Sequence, residues 1–117
     1  MSETQLRQIK SIEARSSFRI IVNWEAGPSL LVDLSQFVLR GGVFEALRNE
    51  EIFSAVRIGE NGALIEWPTP SDTMGYPIID IDAEALYVLG MQQRQLANVQ
   101  RALSAAAKSL EKSASNP

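Results

Sequence analysis

Residues 16–35 read SSFRIIVNWEAGPSLLVDLS, and the fold class turns on this stretch. Phe18, Ile20, Val22 and Trp24 alternate with Arg19, Ile21 and Asn23, a period of two that puts large apolar side chains on one face of a strand. Ala26-Gly27-Pro28 interrupts the pattern with turn-forming residues, and Leu30–Leu34 resumes it as a third strand. Upstream, Ser16-Ser17 turns the chain back to a first strand around Ile9–Ala14. Three antiparallel strands in a meander are the expectation.

Downstream of this meander the period changes. Gln36–Arg40 is too short for an independent helix, and Gly41-Gly42 follows it with backbone freedom that other residues lack. Val43, Phe44, Leu47, Ile52 and Phe53 then recur at roughly helical spacing among charged residues, which predicts one or two short helices with those side chains inward. Strands are expected again at Ala55–Ile58 and Ala63–Trp67, joined through Asn61-Gly62, a pair that accepts the positive φ of a tight hairpin turn. Thr69–Pro77 contains Pro70, Gly75 and Pro77 and has no periodicity, so it reads as a surface loop. Ile78–Ile81 is short and apolar, and Asp82 and Glu84 suit the cap and first turn of a helix. The fold class is therefore α+β: a mostly antiparallel sheet of about five strands, short helices and one long C-terminal helix. Its expected core is Phe18, Ile20, Val22, Leu30, Val32 and Leu34 from the meander, with Phe44, Leu47, Phe53, Ile58, Ile65 and Leu86. Residues 6–87 form the α+β domain, 83–110 the long helix and 111–117 a frayed tail.

The helix carries the clearest repeat. Leu89, Leu96, Leu103 and Leu110 stand seven apart, and three residues before each come Leu86, Gln93, Gln100 and Ala107. A helix from Ala83 to Leu110 is ~42 Å long, whereas a body of this size is roughly 30 Å across. The distal part is expected to overhang the domain and to need a cover. Gln93 and Gln100 weaken a coiled-coil seam while permitting hydrogen bonds that fix its register. Leu89, Leu96, Leu103, Leu110, Gln93 and Gln100 are thus the candidate protein-interaction residues. Self-association through this helix is the favoured expectation, with a different protein partner or folding back onto the domain as alternatives.

Composition narrows the function classes. The 117 residues include no cysteine and no histidine, which removes disulfides, thiolate metal sites, cysteine nucleophiles and the commonest general base. Asp80, Asp82 and Glu84 alternate as hard-cation ligands would, but position six of a calcium loop counted from Asp80 is Ala85 and position twelve is Met91, so the turn glycine and the bidentate glutamate are both missing. Gly59-Glu60-Asn61-Gly62 precedes a strand rather than a helix, so it is no phosphate loop. No catalytic residue, metal ligand set or cofactor is expected, and Trp24 and Trp67 read as core or rim packing. Residues 1–82 hold seven basic and twelve acidic side chains, a net of −5, and residues 83–117 hold four and two, a net of +2. An acidic body repels phosphates, so nucleic acid is not an expected partner despite the stripe of Arg94, Arg101 and Lys108. Met1–Gln8 has no apolar leader and no run reaches the ~18 apolar residues of a membrane span, which makes the expected location cytoplasmic. The leading expectation is a non-enzymatic protein-binding or regulatory module, against a DNA-associated regulator and an enzyme that uses carboxylates.

One ordered series points to a family. Val32-Asp33-Leu34-Ser35, Gly42-Val43-Phe44 with Leu47, Phe53 and Val56, Trp67-Pro68, and Asp80-Ile81-Asp82 with Ala85-Leu86-Tyr87 together resemble the small bacterial domain of unknown function numbered twenty-four forty-two. Its motif positions here are Asp33, Trp67, Pro68, Asp80, Asp82, Leu86 and Tyr87. The resemblance implies an antiparallel sheet with short helices, no known catalytic centre, and an antitoxin-like role beside a small toxin-like protein partner. Longer members append a helix-turn-helix domain where this chain has a single helix.

Overall fold

The computed structural model describes residues 7–75 and 77–114. Strands β1 (Ile9–Arg15), β2 (Arg19–Trp24) and β3 (Leu30–Asp33) pair antiparallel in that order, with Ile12 opposite Val22 and Ile20 opposite Val32. Helix α1 (Ser35–Arg40), a 3-10 turn (Gly42–Arg48) and helix α2 (Glu50–Ser54) follow. Strands β4 (Arg57–Ile58), β5 (Leu64–Trp67) and β6 (Ile79–Asp82) make a second antiparallel sheet, and helix α3 (Ala83–Ala114) ends the described chain.

The period-two reading of the meander holds. Ile20, Val22 and Trp24 of β2 and Leu30 and Val32 of β3 are buried, while their neighbours are half-buried or exposed. One core joins the two sheets, with Ile65, Trp67 and Ile79 from the second, Val38, Leu47 and Phe53 from the short helices, and Ala83 and Leu86 from α3. Trp67 is fully enclosed, and its indole N–H donates to the Phe53 carbonyl at 3.1 Å. A core tryptophan placed this way keeps its polar atom satisfied.

The α+β class holds, with antiparallel strands, short helices and one long C-terminal helix; its details differ from expectation in several places. Six strands form two sheets of three where one sheet of about five is expected. At the outer edge of β3, Gln93 of the C-terminal helix bonds both backbone groups of Asp33, and β4–β6 pair among themselves. Phe18 begins no strand: Ser17 and Phe18 have φ of 62° and 58° and form the turn, from which the Phe18 ring leans edge-on against Phe53 at 5.8 Å. Phe18, Phe44 and Ile58 are consequently half-buried at the margin of the core. Ile58 lies on a two-residue edge strand, and Phe44 sits in the 3-10 turn against Phe37.

Ser35–Arg40 is helical although short, because Val38 is fully buried and the Arg48 guanidinium donates to the carbonyls of Val38 and Leu39 at 3.2 and 3.0 Å. Those bonds satisfy acceptors that a helix C-terminus leaves open. Asn61-Gly62 forms the hairpin tip as read, with φ of 54° and 71°. At Gly62 a Cβ would also meet the Ile9 carbonyl oxygen at 2.8 Å, so both backbone and space demand glycine there. The long helix continues to Ala114 rather than Leu110, since neither proline nor glycine lies between those two residues; of the expected frayed tail, 111–114 are helical and 115–117 lie outside the described residues.

Leu47→Ala and Phe53→Ala should each lower unfolding free energy in denaturant melts by ~2–5 kcal/mol. Neutral melts would show that the short helices do not face the core.

Candidate interaction surface

Helix α3 is fixed at its start by ordinary capping chemistry. The Asp82 carboxylate accepts the Ala85 N–H at 2.7 Å, and the Ala83 N–H donates to the Ala63 carbonyl at 2.7 Å, joining the first turn to β5's approach. One turn on, the Arg7 guanidinium lies 3.5 Å from the centre of the Tyr87 ring and 3.5 Å from the Glu84 carboxylate. The Tyr87 ring also packs edge-on against Trp24, with ring centres 5.4 Å apart.

The next turns seat the helix on β3. Gly90 is buried, and a Cβ there would come within 3.0 Å of Leu30 Cδ1 and 3.1 Å of Val32 Cγ2. Its missing side chain is what lets the backbone approach the strand. Gln93 then grips the strand's edge: its side-chain carbonyl accepts the Asp33 N–H at 2.8 Å, and its side-chain amide donates to the Asp33 carbonyl at 2.9 Å. A carboxamide in this position offers what a neighbouring strand's peptide unit would offer, and it satisfies the sheet edge at Asp33. The Asp33 carboxylate meanwhile accepts the Ser35 N–H at 2.8 Å, which caps the entry to α1.

Beyond Ala97 the helix leaves the body. Ala97 is half-buried and every residue from Asn98 to Leu110 is exposed. The four stripe leucines therefore divide: Leu89 is half-buried against the core, whereas Leu96, Leu103 and Leu110 are 56%, 64% and 71% exposed. Gln93 is spent on the chain's own sheet and Gln100 faces solvent. Among residues that sequence reasoning passed over, Val99 adds to the exposed stripe and Gly90 forms the seat. A glycine within a run of strong helix formers costs ~1 kcal/mol relative to alanine, and that cost is itself a sign of close packing.

The motif residues have structural roles. Trp67 and Leu86 are enclosed in the core, Pro68 is half-buried, Asp82 caps α3, and Tyr87 bridges Trp24 and Arg7. Asp80 is exposed on β6. No group of three acidic side chains suited to a metal ion occurs among the described residues. In the loop after Pro68, Asp72 accepts the Thr69 N–H at 2.8 Å, the Thr69 hydroxyl at 3.1 Å and the Ile78 N–H at 3.4 Å. The Thr69 N–H above all holds that carboxyl below the usual carboxylate range, because each donor favours its charged form. Asp72 thus serves as the loop's internal tether.

Residues 9–91 match the family model described as Protein of unknown function (DUF2442). The chain belongs to this family. The match covers both sheets, the short helices and the seated first turns of α3, and stops before the overhang. No curated protein and no solved structure matches the chain. No helix among the described residues is long and apolar enough to cross a membrane.

Gln93→Ala removes both bonds to Asp33 and should cost ~1–3 kcal/mol in denaturant melts, at ~0.5–1.5 kcal/mol per bond. An unchanged midpoint would show that the grip contributes nothing to seating the helix.

Proposed function

We propose that this chain is a protein-binding module rather than an enzyme, and that it associates with a second copy through the distal half of α3. The observation that carries this reading is the uncovered stripe of Leu96, Val99, Leu103 and Leu110. Leaving a leucine in water forgoes burial worth ~1.5–3 kcal/mol, and a row of them on a projecting helix marks an interaction surface. Gln100 lies between Leu96 and Leu103, where a polar seam residue sets register. The chain's composition supports the non-enzymatic part, since it lacks the histidine and cysteine that most nucleophilic and acid-base sites use.

Antitoxin-like binding of a small protein partner is the narrower form of this reading, and it rests on the family resemblance. Retention of a stoichiometric small partner on co-purification from the native host tests it. Association with DNA is the second reading, favoured by Arg94, Arg101 and Lys108 on α3 and opposed by the net charge of −5 on residues 1–82.

Sedimentation at high micromolar concentration should find the full chain larger than a monomer, and Leu103→Glu should make it monomeric with the thermal midpoint that the wild-type chain shows when dilute. A strictly monomeric wild-type chain would overturn the self-association reading.

A further inference from the structure

Where α3 leaves β3, a groove of about 590 Å³ opens between the strand and the helix. Arg19, Leu31 and Asp33 line it on the strand side, and Arg94, Leu96 and Arg101 on the helix side. The three guanidiniums are without an ion pair among the described residues. Arg19 donates to the Ser16 carbonyl at 3.0 Å, and Arg101 to the Asn98 side-chain carbonyl. Three arginines therefore line one concave surface of a chain whose formal charge is −3. Asp33 is the lone carboxylate in the lining, and it already accepts the Ser35 N–H.

We propose that this groove is the docking site for an acidic, apolar peptide segment of another protein. Carboxylates of the segment would pair with Arg19, Arg94 and Arg101, where bidentate, charge-assisted hydrogen bonds are available. Apolar side chains between them would cover Leu31, 51% exposed, and Leu96, 56% exposed. The lining holds no aromatic ring for a base to stack on, and its apolar strip suits a peptide better than a phosphate backbone. Gln93 also decides how the segment lies. Because it occupies the outward N–H and carbonyl of Asp33, a fourth strand cannot pair along the whole of β3, so the segment docks through its side chains rather than by extending the sheet.

The proposal does not depend on self-association. Leu103 and Leu110 lie outside the groove, and Leu96 is the residue common to both surfaces. The test is fluorescence anisotropy on the full chain at physiological ionic strength. Three labelled probes are compared: a short peptide of aspartate, glutamate and leucine, its counterpart with lysine at every acidic position, and a single-stranded oligonucleotide. The acidic peptide should bind, lose affinity as salt is raised, and shift the backbone amide signals of Leu31 and Leu96. Arg94→Glu with Arg101→Glu, both at exposed positions, should weaken it about tenfold or more, while Leu103→Glu, outside the groove, should retain it. The lysine peptide should not bind. Absence of acidic-peptide binding up to millimolar concentration, equal binding of both peptides, indifference to the arginine substitutions, or displacement of the peptide by the oligonucleotide would each overturn the proposal.

Discussion

The seat of α3 on β3 is the contact from which the rest of the architecture follows. At Gly90 the helix backbone comes against Leu30 and Val32 with no side chain between them, and one turn later Gln93 takes both edge groups of Asp33. The first contact sets the distance between helix and sheet, and the second sets the rotation and register. A helix held at two successive turns has its direction fixed for the remainder of its length, because an uninterrupted α-helix is stiff over such spans. The overhang is thus a consequence of how the helix is held, not of a loose terminus.

This arrangement divides one sequence pattern between two duties. The apolar and small residues Ala83, Leu86, Gly90 and Ala97 face the chain's own body, following the three-and-four spacing of a helix stripe. The leucines seven apart drift away from that face, so Leu89 still touches the core while Leu96, Leu103 and Leu110 do not. Charge follows the same division. From Gly90 to Leu110 the helix carries Arg94, Arg101 and Lys108 and no acidic residue, in contrast to the acidic body. The family match ends at residue 91, at the seat, so the overhanging surface belongs to the part of the chain beyond the shared domain.

Much of the fold was legible because its signals are local. Alternation in Arg19–Trp24 and Leu30–Asp33, the Asn61-Gly62 turn and the Asp82 cap each depend on a few adjacent residues, and each appears where the sequence puts it. What was not legible depends on residues distant in sequence. Helix α1 exists because Arg48, ten positions beyond Val38, satisfies its last carbonyls. Gln93 reaches Asp33 across sixty positions, and that contact commits it to the chain's own sheet rather than to a coiled-coil seam. Among the candidate interaction residues, the leucine spacing was readable, whereas the groove's Arg19 and Leu31 come from another element and only the fold brings them to the helix.

Amide hydrogen exchange along α3, measured over a range of protein concentrations, tests the central claim most directly. The account predicts that amides from Tyr87 to Ala97 exchange only through global unfolding at every concentration, as an element packed into the core must, and that amides beyond Asn98 are weakly protected when dilute and gain protection as concentration rises. Distal amides that exchange freely at every concentration, or a seated segment no better protected than the overhang, would contradict it.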